Sequence, residues 1–447
     1  MLTRRAFIAA PLAAASRPQP TPAQLAWQDF ELGILFSYDL PVFAPEGWKE
    51  TRSTLDPNIY QPRKLDTDQW LEAAKAMGCR YAVFTATHFN GFLQWQSDLY
   101  PYGLKQTSWR GGKTDIFGDF VKSCHKCGIA PGVYLSCHRN AWWKVWSYRV
   151  NWGAGGDGQA EFARAGAKMT EELVSRYGPL SEIWYDAGIP HPDDGGPDVL
   201  PVVDRYQKKI VFYHSPQRRE HRWIGNESGF AGDPCWATMP DLAAAERAHQ
   251  QSRQNRELLL NGDPNGTLWS PAMVDVPIRD HEWFWRPNDD HKVYAPETMV
   301  DMYYKSVGLN SNLIFGGTPD RDGLIPEADL RSYAAFGREI RRRFSKPLAE
   351  TRGKGKTLLL RLTKPARIDH VSIMENIAEG ERIRQYAVEG MTGREQWTKL
   401  GAGESVGHKR IHRFTPVEVA AVRLAVQSAV AEPLLRSLAV FDSAAAG

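Results

Sequence analysis

Residues 181–188 read SEIWYDAG. Ile183, Trp184 and Tyr185 favour a β-strand, and they run directly into Asp186 before Ala187 and Gly188 signal a turn. A carboxylate at the end of a buried strand is costly unless it is paired or used. Asp ahead of a small residue and Gly can be plain turn punctuation. Alternatively, the strand delivers an acid to the rim of a sheet or barrel.

Working outward, the same grammar recurs. LGILFSYD (32–39), RYAVFTATH (80–88), APGVYLSCH (130–138), KIVFYHS (209–215) and NLIFGG (312–317) are short β-rich runs. Most end in polar residues, among them Tyr38, Asp39, His88, His138 and His214. Between them lie the helix patterns TDQWLEAAKAMG (67–78), DIFGDFVKSCHKCG (115–128) and EFARAGAKMTEELVSRYG (161–178), each closed by Gly. Near-continuous apolar strands alternating with helices predict a parallel sheet. About seven such units over roughly 300 residues suit an irregular (β/α)8 barrel of the TIM type. An open doubly wound sheet is the alternative, but no Gly-rich phosphate loop follows the first strand. A barrel aims the residues that end its strands at one common site.

From about residue 352 the texture changes to short alternating strands, such as RIDHVSIMEN, RIRQYAVEG and LRSLAVFDS, after a helical stretch at 330–344. This predicts an all-β sandwich, expected to brace the barrel rather than bind ligand. The N-terminus, MLTRRAFIAAPLAAASRP, pairs Arg4 and Arg5 with a short Ala-rich run and an A-x-A pattern at Ala13 to Ala15. It has the form of a twin-arginine export signal and is too short for a membrane anchor. The expected organisation is therefore an α/β chain with a signal over 1–16, a catalytic barrel over 17–345 and a β-sandwich over 346–447, exported to the periplasm or beyond.

Composition narrows the partners. The net charge is +3 over 447 residues, and no basic patch suggests nucleic acid. The 16 Trp, 16 Tyr and 18 Phe suit the flat apolar faces of sugar rings. The five cysteines include a CxxC at Cys124 and Cys127; with no second pair, the spacing reads as helical and core-facing rather than as a zinc or redox site. Asp193, Asp194 and Asp198 form a charged loop that could meet calcium, but no metal or other cofactor is expected.

A second acid lies in HRWIGNESG (221–229), where Glu227 sits in a loop-like setting beside Trp223 and Arg222. Two carboxylates on neighbouring barrel loops are what a glycosidase requires: a nucleophile, and an acid that then serves as base.

Longer stretches carry a specific resemblance. TATHFNGFLQWQSDLY (85–100), ELVSRYGPLSEIWYDAG (172–188), RWIGNESGFAGDPCW (222–236) and YYKSVGLNSNLIFGGTPDRDGLI (303–325) occur in this order, followed by IDHVSIMENIAEGERIRQYAVEG (368–390). The chain resembles glycoside hydrolase family 29 α-L-fucosidases, most closely the subgroup preferring α-1,3/1,4-linked fucose. The resemblance implies a barrel plus sandwich and a retaining exo-glycosidase. It matches Asp186 to the nucleophile and Glu227 to the acid/base. It matches His88 to a histidine that contacts sugar hydroxyls, and Trp48, Trp95 and Trp283 to positions beside the sugar.

The departures are local. Ser37 replaces a histidine at the end of the first strand, Phe89 and Asn90 replace a second histidine and an aspartate, and Gly316 replaces an asparagine. His138, Arg139 and Asn140, or Tyr38 and Asp39, are candidates to compensate, Tyr38 and His138 being counted with the substrate-binding set. Two rival readings follow from these changes: a related retaining glycosidase for another sugar, and a carbohydrate-binding protein without activity.

Overall fold

The computed structural model describes residues 17–44, 54–150, 158–250, 255–280, 282–393 and 396–444, without the side chains of 248–250. The proposed signal and Trp48 lie outside the described residues.

Eight parallel strands form a nearly closed barrel: β1 (Leu32–Phe36), β2 (Tyr81–Thr85), β3 (Ala130–Ser136), β4 (Glu182–Asp186), β5 (Val211–Tyr213), β6 (Arg222–Trp223), β7 (Ala272–Val276) and β8 (Ser311–Gly317). Their order is β5-β4-β3-β2-β1-β8-β7-β6, and every neighbouring pair is parallel. The seam lies between β5 and β6. It is bridged in part by the backbone N–H of Glu220, which donates to the Phe212 carbonyl at 3.0 Å.

The helices form where the sequence supplies both ends. In α2 (Thr67–Met77) the Asp66 side chain accepts from the N–H groups of Asp68 and Gln69. In α3 (Ile116–Cys127) Asp115 accepts from Gly118. Both helices stop at a glycine in the left-handed region, Gly78 at φ 102° and Gly128 at φ 71°, a conformation that releases the chain at no Cβ penalty. Cys124 faces the core from α3, Cys127 is half-buried, and all five thiols are free.

Alternation along each strand divides two cores. Ile34 and Phe36 of β1, Ile183 and Tyr185 of β4 and Val274 and Val276 of β7 pack outward against the helices. Leu35, Val83, Tyr134, Trp184, Tyr213, Met273 and Ile314 fill the barrel interior. One end of the barrel is closed by α1 (Pro22–Phe30). The Trp27 indole donates to Glu182 at 3.0 Å, and its ring stacks at 4.8 Å on His221, whose Nε2 lies 2.7 Å from the other Glu182 oxygen.

After α9 (Glu327–Phe344) the chain enters a six-stranded antiparallel sandwich sheet. Its strands are β9 (Ala349–Lys354), β10 (Thr357–Glu375), β11 (Ile383–Met391), β12 (Trp397–Gly403), β13 (Arg410–Ala429) and β14 (Leu434–Phe441), ordered β9-β14-β10-β13-β11-β12. The long pair β10 and β13 shifts register twice, which lets one sheet bend around the core of Ile368, Val371, Tyr386, Val422 and Leu438. Glu31 of the barrel meets Lys409 and His408 of the sandwich at 2.5 and 3.1 Å. Burial alone would raise the Glu31 pKa, but the Lys409 ammonium and the hydrogen bond to His408 hold it well below the carboxylate range.

His412 of β13 is accepted into this sheet as a neutral ring. Its Nε2 lies 2.9 Å from the Tyr386 hydroxyl. Burial, assisted by Arg410, pushes its pKa from 6.5 down to about 4. The unfolded chain binds this proton more tightly than the native one, so the contribution of His412 is complete above pH 6.5 and is lost as pH falls through about 4. His412→Gln, which keeps a polar partner for Tyr386, is expected to flatten the fall of Tm across that window in calorimetry. An unchanged slope would refute the assignment.

Candidate active site

The alternation that builds the cores also answers the question raised by SEIWYDAG. With Trp184 inside the barrel, Asp186 shares its phase and ends β4 on the interior side, half-buried. The Tyr134 hydroxyl donates to Asp186 Oδ2 at 2.6 Å. Tyr134 is reached from the neighbouring strand because its Cα pairs with Trp184, one inward step below the acid. Sequence reading missed Tyr134. Its signal was present in the GVYLS run, two residues before the strand end, on the inward phase.

His88 joins the same group. Its ring stacks on Tyr134 at 5.6 Å and on Phe89 at 4.2 Å, and meets the edge of Phe284 at 5.1 Å. His138 lies 4.7 Å from the Tyr148 ring, and Tyr148 donates its hydroxyl to the Ala187 carbonyl beside Asp186. Burial, reinforced by Arg139, lowers the His138 pKa against the opposing charge of Asp186, so its ring is neutral at neutral pH.

Glu227 follows β6 on a loop pinned by its own neighbour. Asn226 Oδ1 accepts from the Ser228 N–H at 2.9 Å, and its Nδ2 donates to the Phe230 carbonyl at 3.3 Å. Glu227 itself is half-buried. A third acid, Asp275 on β7, is 4 % exposed and was absent from the sequence candidates. The charges of Glu227 and Asp186 both act on Asp275, and with burial as the largest cause they hold its pKa well above the carboxylate range. The barrel thus gathers three acids from β4, the loop after β6, and β7.

Two expected sugar contacts are corrected. Tyr38 is fully buried among Phe43, Tyr60 and Trp70. It continues the outward phase of Ile34 and Phe36, so its ring belongs to the layer between barrel and helices. Trp95 is 1 % exposed, and its indole N–H is spent on Glu172 of α4 (Gln159–Arg176) at 2.8 Å. Asp39 is equally internal: it accepts from Asn90 at 2.9 Å and caps Leu40, so these two form a loop brace rather than a replacement sugar reader.

Trp283 is half-buried and packs against the interior core. A Cβ on Gly316 would lie 3.1 Å from both the Trp283 ring and the Pro277 Cα, so a side chain here would require the indole to give way by a few tenths of an ångström. The loop bearing Trp283 is tied to α9 by the fully buried Arg279, which pairs with Asp329 and donates to Thr318 at 3.1 Å. Phe89 is a platform for Arg139, whose guanidinium lies 4.7 Å from that ring and 4.1 Å from Trp146.

Inward acids at the carboxyl ends of barrel strands, lined by aromatic rings, describe a site for a neutral polyhydroxylated ring. The model of the family described as Alpha-L-fucosidase matches residues 23–342. The chain belongs to the α-L-fucosidase family. An Oryza sativa subsp. japonica protein named for α-L-fucosidase 1 is 30 % identical over 95 % of this chain and 85 % of its own. Alpha-L-fucosidase 1 of Arabidopsis thaliana is 28 % identical over 95 % and 87 %. Among solved structures, a Bacteroides thetaiotaomicron protein named for the same activity is 43 % identical, with a TM-score of 0.90 over 96 % of this chain and all of the other. This fucosidase is a glycoside hydrolase with the barrel-plus-sandwich architecture of its family.

The hydrogen bond from Tyr134 is testable directly. A hydrogen bond to a charged group contributes about 1.5–3 kcal/mol, or roughly 10- to 100-fold in rate. Tyr134→Phe is expected to lower kcat/KM on an aryl α-L-fucoside by that factor while leaving Tm within a few degrees. Unaltered kcat/KM would show that the contact does not matter to turnover.

Proposed function

We propose that this fucosidase releases terminal α-L-fucose with retention, Asp186 serving as nucleophile and Glu227 as acid/base. The observation that carries this reading is placement: Asp186 ends β4 on the inward phase, held by Tyr134, and Glu227 lies on the loop that leaves the carboxyl end of β6 in the same barrel. In the first step a carboxylate oxygen of Asp186 bonds to the anomeric carbon. The glycosidic C–O bond breaks, and the Glu227 proton passes to the leaving oxygen. In the second step Glu227 takes a proton from water, the water oxygen bonds to the anomeric carbon, and Asp186 departs as carboxylate. Retention requires the two carboxyl groups to lie about 5 Å apart.

The preferred linkages are α-1,3 and α-1,4 in branched glycans, as the subgroup resemblance implies. The chain acts after export, given the paired arginines at 4 and 5. His88 and Trp283 contact the sugar, His88 through its ring nitrogens and Trp283 through an apolar face. A second reading, preference for a related sugar, is favoured by Phe89, Ser37 and the Trp283 ring over Gly316. These replace polar readers with apolar or short side chains, and a lost polar partner can cost orders of magnitude in discrimination. Comparing kcat/KM on aryl α-L-fucoside and α-L-galactoside separates the two.

Azide assigns the acids. Asp186→Gly is expected to lower turnover by about 10³-fold or more, with added azide giving the β-L-fucosyl product. Glu227→Ala is expected to cost about 10²–10⁴-fold on poor leaving groups and far less on good ones, with azide giving the α-L-fucosyl product. NMR of the products reads the anomers. Exchange of the two outcomes, or rescue of neither variant, would remove the assignment.

A further inference from the structure

Asp275 has no role in the two-step reaction, yet it is the most enclosed acid at the barrel mouth. It lies on the inward phase of β7, above Met273, and is 4 % exposed. Its Oδ1 accepts the indole N–H of Trp223 at 2.7 Å. Trp223 ends β6, and its Cα pairs with Met273 of β7. Glu227 is four residues further along the chain, and the intervening Ile224 is fully buried with its N–H on the Met273 carbonyl at 3.2 Å. The Trp223 ring packs against the interior core. One strand pair therefore fixes the backbone before Glu227, and one side-chain bond fixes the ring before it.

We propose that Asp275 is a positioning residue for the acid/base step: its carboxyl group anchors the Trp223 indole, and that ring sets the wall against which Glu227 works. The inference rests on the reading of Glu227 as acid/base. The titratable groups whose fields bear on Asp275 or feel its own are Glu227 after β6, Asp186 on β4, Tyr81 on β2 and Tyr213 on β5. Two are acids, so an ionised Asp275 would add a further like charge to the same enclosed space. Burial and these neighbours disfavour its charged form, and its Oδ1 accepts from Trp223. The cost of burying a polar acid is offset by a hydrogen bond that a hydrophobic residue cannot supply.

The test uses four variants of the full chain, assayed on aryl α-L-fucosides with good and poor leaving groups. Asp275→Asn keeps a neutral acceptor, so its kcat should stay within about threefold of the parent, and the alkaline limb of its kcat/KM profile should not move. Asp275→Ala and Trp223→Phe each remove one half of the bond. Each should lower kcat about 10- to 100-fold on the poor leaving group, less on the good one, with KM changed little. The double variant Asp275→Ala/Trp223→Phe should be no worse than the weaker single. Three results overturn the proposal: additive losses in the double variant, an Asp275→Asn enzyme as impaired as Asp275→Ala, or an alkaline limb displaced downward in Asp275→Asn. Should Asp275→Ala fail to fold, Asp275→Asn and Trp223→Phe still decide it, since neither leaves a cavity at 275. Azide keeps the two readings apart. If Glu227→Ala gives no α-fucosyl azide, the acid/base reading fails by itself. If Asp275→Ala gives that product instead, Asp275 is the proton donor and positioning is refuted.

Discussion

Strand β4 carries an acid at each end, and both point into the barrel. Glu182 receives the Trp27 indole and faces His221, which is stacked between Trp27 and the Tyr213 ring at 4.4 Å. Tyr213 belongs to β5, whereas His221 directly precedes β6, so this stack spans the seam that lacks strand pairing. A buried carboxyl group hydrogen-bonded from two elements is costly to strip of a partner, about 1–3 kcal/mol for each group left unsatisfied. The closed end of the barrel thus fixes the strand whose other end presents Asp186. Because the side-chain period is two, the inward Glu182, Trp184 and Asp186 stand or fall together: a one-residue slip would put all three among the helices.

The altered sugar shell follows from the same packing. Three of the positions where a hydrogen-bonding residue was expected are set by their packing or by a bond within the loop. Phe89 lies between His88 and Arg139; Asn90 is spent on Asp39; Gly316 yields to Trp283. The guanidinium of Arg139, held by Phe89 and Trp146, keeps this side of the mouth rigid through stacking rather than through carboxylate pairing.

Most of the architecture was legible because helix ends and apolar runs are local signals. Asp66, Gly78, Asp115 and Gly128 mark their helices with residues whose capping chemistry does not depend on the rest of the chain. Strands β6 and β7 were not legible. β6 is two residues long, and β7 carries Asp275 in the middle of an otherwise apolar run, so neither shows the pattern of a buried strand. Asp275 was hidden for the same reason that it matters: a lone acid within AMVDV has no sequence partner, and its significance arises only when β6 and β7 pair. Tyr38 and Trp95 failed in the other direction. Tyr38 follows a barrel strand and Trp95 was matched through the resemblance, but strand phase and the bond to Glu172 place their rings in the outer layer.

The sandwich acts on the site through the stretch that follows Glu227. Arg410 of β13 pairs with both oxygens of Asp233 at 2.7 and 2.8 Å. Ser405 accepts from the Cys235 N–H at 3.2 Å, and the fully enclosed Glu381 accepts from the Ala237 N–H at 3.0 Å. From the barrel side, Arg222 is fully buried and donates to the Leu259 and Ser270 carbonyls and to Cys235. Residues 222 and 233–237 are therefore fixed from both domains, and the loop holding Glu227 is suspended between them. A side chain on a loop holds its position to within about half an ångström only when both ends of the loop are rigid. Here one end is a barrel strand, and the other is held by Arg410 of β13 and by Ser405 and Glu381 on loops of the sandwich. Bracing is thus more than added stability for the barrel: it turns the sandwich into a part of what positions the second carboxylate.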